Sequence, residues 1–142
     1  MEFAAIDFET TAYLNGSRNE PWQLGYAHVI DGEIVETKEW FFGTSLTPGH
    51  EPIMMQWEEF SPYLFGKKLV AHNIATERTI LTRLAPLTRF GPWVDTLKLA
   101  KARYPALPSY QLGELCKMFG CVPQIGARTW HDALFDAVAC AR

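Results

Sequence analysis

AAIDFETT, residues 4–11, places two carboxylates two positions apart at the end of an apolar run. Read as a strand over residues 3–9, it turns Asp7 and Glu9 to one face and Phe8 to the other, because side chains alternate with period two. Two like charges beside a core repel each other and resist desolvation. Something on that face has to make the pair tolerable.

Outward from this strand, the polar, turn-rich TTAYLNGSRNEP leads to WQLGYAHVI and EIVETKEWFF. These two runs flank Asp31-Gly32, a dipeptide favoured in two-residue hairpin turns. The chain therefore opens with three successive strands, the last two antiparallel. MMQWEEFSPYLF has helical spacing at Met54, Trp57 and Phe60, and KKLVAHN reads as a short apolar strand. ATERTILTRLAPL carries Ile80, Leu81, Leu84 and Leu87 at helical period, with Pro86 stopping or kinking the helix. WVDTLKLAKARYP is a strand followed by a helix ended by Pro105. Ser109 is a candidate N-cap for YQLGELCKMF, and Gly120 its stop. HDALFDAVACA closes the chain as a helix. Three leading strands followed by alternating strands and helices predict an α/β sandwich around a mixed sheet. With no repeat or linker, residues 1–142 read as one domain.

Composition narrows the classes. In 142 residues, 48% hydrophobic and 20% charged content are globular values. No apolar run reaches the roughly 18 residues of a membrane span, and the N-terminus lacks a signal-peptide layout. Cys116, Cys121 and Cys140 show no CxxC spacing, so small buried thiols in a reducing, cytoplasmic setting are expected. The net charge of −3 hides an asymmetry: residues 1–66 sum to −9 and residues 67–142 to +6, with eight basic residues between Lys67 and Arg103. A basic middle beside an acidic start can be a phosphate-binding face next to a cation-binding one. Amphipathic helices showing their charges to water would give the same count.

Four acids sit where elements end: Asp7, Glu9, Glu77 in the first turn after a strand, and Asp136 in the last helix. Sites in open α/β sheets form at the carboxyl ends of strands. Converging carboxylates call for a divalent cation, and an all-oxygen site selects hard ions such as Mg²⁺ or Mn²⁺. Two ions roughly 3.5–4 Å apart form the clamp for attack on a phosphodiester, one activating water and the other stabilising the leaving oxygen. His131, in the loop before Asp136 with Asp132 as N-cap, suits a general base. His72 reads as structural, and Asn73 as the residue fixing the loop that carries Glu77. Trp22, Trp40, Trp57 and Trp93 read as packing, while Trp130 precedes the base.

Together these residues resemble the DEDDh branch of the DEDD 3′–5′ exonucleases, the family of the proofreading subunit of bacterial replicative polymerases. The resemblance rests on IDFETT, on LVAHNIATER and on HDALFDA, in that order, and on WVDTLKLAKARYPALPSYQLGELCKMFG between the last two. It implies a ribonuclease H-like fold, a five-stranded mixed sheet with helices on both sides. It implies metal binding by Asp7, Glu9, Glu77 and Asp136, with Asp7 bridging two Mg²⁺ or Mn²⁺ ions and His131 as the base. Thr10, Thr11 and Asn73 become the candidate substrate contacts. The implied activity is removal of nucleoside 5′-monophosphates from the 3′ end of single-stranded or frayed DNA or RNA, alone or beside a polymerase or another replication or repair protein. Three features depart from the pattern. Glu77 stands where the family has Asp, the connection after the third strand is short, and the last helix is cut close after Asp136. A nuclease-like module that grips 3′ ends without turnover is the alternative class.

Overall fold

The computed structural model describes residues 2–11, 20–44 and 49–120. Strand β1 (Glu2–Thr10) is followed by β2 (Pro21–Ile30) and β3 (Glu33–Phe41). Asp31 and Gly32 both take left-handed φ values, 49° and 84°, the backbone a type I′ hairpin needs at both central positions. Helix α1 (Ile53–Phe60), a short 3₁₀ turn (Ser61–Tyr63), β4 (Leu69–Ala71), α2 (Ala75–Leu84), β5 (Trp93–Asp95), α3 (Thr96–Arg103) and α4 (Leu112–Phe119) complete the described elements. The sheet order is β3-β2-β1-β4-β5. β1–β2 and β2–β3 are antiparallel, whereas β1–β4 and β4–β5 are parallel. This is the five-stranded mixed sheet expected from the sequence, with β1 at its centre.

Alternation sorts the strands into two faces. Ile6 and Phe8 of β1 stand opposite Tyr26 and Leu24 of β2, and all four are buried in one cluster with Phe60, Leu64, Ile80 and Leu81. So α1, the 3₁₀ turn and α2 cover that face. On the other face Ala5, Ala27 and Val29 are also fully buried, so both faces are shielded, and β4, buried at all three positions, reads as a continuous apolar run for that reason. Tyr26 is buried with Lys67 Nζ donating to its hydroxyl at 2.6 Å. Burial, followed by nearby Glu36, pushes its pKa up to about 12.

Several local expectations need correction. In α1 the core-facing residues are Ile53, Trp57 and Phe60, while Met54 is exposed. Gln56 is buried instead, because its amide donates to the carbonyls of Phe41 and Glu51 at 2.7 and 2.8 Å. α2 ends at Leu84, and Leu87, beyond Pro86, is 99% exposed. Ser109 is not the N-cap of α4: that position is Gln111, and the Ser109 hydroxyl accepts from the Gln111 N–H at 3.3 Å in the turn before the helix. Gly120 does stop α4, with φ 67°. Cys116 is buried as expected. Cys121, Cys140, Trp130 and the closing helix fall outside the described residues.

Candidate functional site

The site is built where two parallel neighbours differ in length. β1 runs to Thr10, but its pairing with β4 covers only Ala4 and Ala5, and β4 ends at Ala71. The edge of β1 beyond that point is open. Ala4 N–H on this edge donates to Lys68 O at 2.9 Å. Phe8, four residues on and facing the same way, donates instead to Glu77 Oε1 at 3.2 Å. The carboxyl of Glu77, in the first turn of α2, therefore takes the place of a missing strand between the positions of Asp7 and Glu9.

Glu77 is 2% exposed. Its Oε2 is buried with no hydrogen-bond partner among the described residues. Burial raises its pKa to about 7, the Phe8 N–H pulls the other way, and Glu9 and Asp95 add repulsion. Asp7 and Glu9 are both partly buried on the opposite side of β1 from Phe8. Three of the four predicted acids thus belong to one end of β1. Among the described residues no three His, Cys, Asp or Glu side chains gather closely enough to hold an ion. The predicted fourth acid Asp136 and the predicted base His131 lie outside them.

The loop between β4 and α2 is held by a residue given no role from sequence. Asp95, at the end of β5, accepts from Asn73 N at 2.9 Å and Ile74 N at 3.3 Å, and from Leu97 N at 2.9 Å as the N-cap of α3. Burial raises its pKa, but the backbone N–H groups of Asn73, Ile74, Leu97 and Lys98 outweigh this and lower it. One ionised carboxylate therefore ties the start of α2 to the start of α3. The signal was present in WVDTL: an Asp at a strand-to-helix junction is a preferred N-cap. The loop is fixed through the Asn73 backbone and not its side chain. Asn73 has φ 68°, which Asn tolerates better than most residues, and its side chain is exposed.

His72 is structural. Its Nε2 lies 2.6 Å from Tyr110 O and so carries the proton, while Nδ1 is 2.9 Å from Thr96 Oγ1. Burial lowers its pKa, which keeps it neutral. A cleft of about 700 Å³ lies beside His72 and Asn73, walled by α3 and α4. A smaller one, about 240 Å³, opens at Thr10 against α2. No acid lines the smaller one, but Thr10 and Thr76 in its walls are the chain neighbours of Glu9 and Glu77. Thr11, just beyond β1, pairs through its N–H and hydroxyl with Glu20.

No family model matches the chain. It is 29% identical over 162 residues to the DNA polymerase III PolC-type of Streptococcus agalactiae, aligning 99% of this chain with 11% of that protein. With the protein of the same name from Mycoplasmopsis pulmonis it is 30% identical over 156 residues, 94% of this chain and 11% of that one. The chain thus spans about a tenth of these relatives' length. Among solved structures it is similar to Exonuclease X in complex with 5′ overhanging duplex DNA, with TM-score 0.73, 24% identity and coverage of 98% of this chain and 86% of that one. E. coli Exonuclease I in complex with a dT13 oligonucleotide aligns with TM-score 0.74 and 17% identity, over 99% of this chain and 39% of that one. Joined to the β3-β2-β1-β4-β5 sheet, these likenesses give one conclusion: the chain has the ribonuclease H-like fold of these solved exonucleases and is similar, over nearly all its length, to a part of the PolC-type polymerases.

Proposed function

We propose that residues 1–142 form a single divalent-metal-dependent 3′–5′ exonuclease domain that shortens single-stranded or frayed DNA from its 3′ end and releases nucleoside 5′-monophosphates. The observation that carries this is the Glu77 carboxyl, buried at the Phe8 N–H between Asp7 and Glu9, with one oxygen lacking a partner among the described residues. A buried, charge-crowded carboxyl with an unused oxygen is costly unless a cation completes it. The donor set is all oxygen and suits Mg²⁺ or Mn²⁺. Asp7, Glu9 and Asp136 would hold the ions, with Glu77 reaching them directly or through water. When bound, the metals supply Lewis-acid activation of water and charge stabilisation of the leaving oxygen. This chain's own residues do the rest. His131 takes the proton of the attacking water, Thr10, Thr11 and Asn73 border the terminal nucleotide, and Asp95 holds the loop and helix that carry Glu77. DNA is favoured as substrate because the sequence relatives are named DNA polymerases, and a polymerase is the partner of that context.

The test is incubation of the purified protein with end-labelled single-stranded DNA and RNA of matched sequence, with Mg²⁺, Mn²⁺ or chelator. A ladder of single-nucleotide steps that needs metal and prefers DNA is the expected result. Oligonucleotides left intact but bound would make this a 3′-end-binding module that has lost turnover, with Glu77 in place of Asp as the first suspect. Internal cuts would indicate an endonuclease.

A further inference from the structure

We propose that the 240 Å³ pocket between the end of β1 and α2 is a phosphate subsite, in which Arg83, Thr76, Thr79 and Thr10 hold a backbone phosphate of the strand whose 3′ end lies at the acids. The inference rests on the exonuclease reading and extends it to Thr79 and Arg83, which the acid and histidine motifs do not contain. Thr10, the last residue of β1, forms one wall, and Thr76, Thr79 and Arg83 of α2 form the other. Positions 76, 79 and 83 recur at i, i+3 and i+7 and so share one flank of the helix, while Glu77, Ile80 and Leu81 are its buried residues. The pocket therefore starts in the same helical turn as Glu77 and runs about 9 Å along the axis to Arg83, six residues on.

The hydroxyls and the guanidinium of the lining fit a phosphodiester. Arg83 forms no ion pair among the described residues, although the neighbouring site is rich in carboxylates. Its guanidinium stays available, and the planar fork matches phosphate oxygens. Three hydroxyls on the opposing walls are the side chains that commonly contact phosphate and sugar. Four of the six lining residues carry a hydroxyl or a guanidinium. A strand whose end is bound at an acidic, metal-dependent centre needs cationic support for its next charges, and Arg83 lies on the same helix as Glu77, about two turns further along.

The experiment measures binding of a single-stranded deoxyoligonucleotide to the full chain in EDTA, which suppresses turnover, across a range of salt concentrations. For Arg83→Ala the slope of log K against log salt should fall by about 0.7, the loss of one phosphate contact on a single strand. Arg83→Lys should restore the slope. Thr76→Val with Thr79→Val should weaken binding without changing the slope. Arg78→Ala serves as the control: Arg78 lines a separate cleft with Thr82, Thr88 and Arg89, and its removal should leave the slope unaltered. An unchanged slope for Arg83→Ala, or an equal fall for Arg78→Ala, overturns the subsite. Failure of the exonuclease reading would appear elsewhere, as wild-type protein that leaves labelled DNA uncut with Mg²⁺ or Mn²⁺, because the binding measurement contains no metal.

Discussion

Glu77→Gln gives the sharpest test of how the site is held. In the folded, metal-free protein the Glu77 pKa rises from 4.5 to about 7, so the folded state keeps its proton more tightly than the unfolded chain. Below pH 4.5 both states are protonated and this group costs nothing. Between pH 4.5 and 7 the unfolded state ionises first, and stability falls. Above pH 7 the full penalty, about 3 kcal/mol at 1.36 kcal/mol per pH unit, is present. From pH 5 to pH 8 the wild type should lose about 2.5 kcal/mol through this carboxyl, and Glu77→Gln should lose none of that. Gln keeps an oxygen to accept from Phe8 but buries an amide, a cost near 1–3 kcal/mol that does not vary with pH. The difference between the two pH values is therefore the quantity to read, by urea titration in chelator. Mn²⁺ at pH 8 should recover stability in the wild type, through binding to the folded state, and recover less in the variant. Parallel pH dependences for the two proteins would refute the claim that burial and neighbouring acids strain this carboxyl.

Asp95→Asn should destabilise the fold by about 2–3 kcal/mol at neutral pH, since hydrogen bonds to an ionised group are worth more than neutral ones. The loss should shrink as the pH falls through the lowered carboxyl pKa, because the stabilisation exists only where Asp95 is charged; thermal unfolding at pH 3 and 7 checks it. His131→Ala should reduce the rate of single-nucleotide release by about 10²–10⁴ while oligonucleotide binding in EDTA is retained. Gly43→Ala should cost at least about 1–3 kcal/mol, because a Cβ there would meet His50 O at 2.0 Å, and denaturant midpoints would show it. Phe60→Ala, fully buried at the centre of the core, should cost about 3–5 kcal/mol in the same assay.

What depends on a few adjacent residues was legible in the chain alone. Alternation around Asp7 and Glu9 defined β1, Asp31-Gly32 defined the hairpin through its left-handed backbone, and Pro86 and Gly120 bounded α2 and α4. Each of these is a matter of local sterics and periodicity, which neighbouring residues settle alone. Helix starts and faces were less legible. Ser109 competed with Gln111 as a cap, and Met54 and Leu87 matched a period without meeting the core. The ordered motifs named the acids, yet how Glu77 is held follows from the packing of distant segments. Its partner, the Phe8 N–H, is 69 residues away and is available only because β4 stops short of the end of β1. The Asp95 clamp likewise joins residues 21 and 22 positions apart, and Thr10 meets Arg83 in one pocket through the packing of α2 on β1. Contacts of that kind arise from strand lengths and helix placement, which no local pattern encodes.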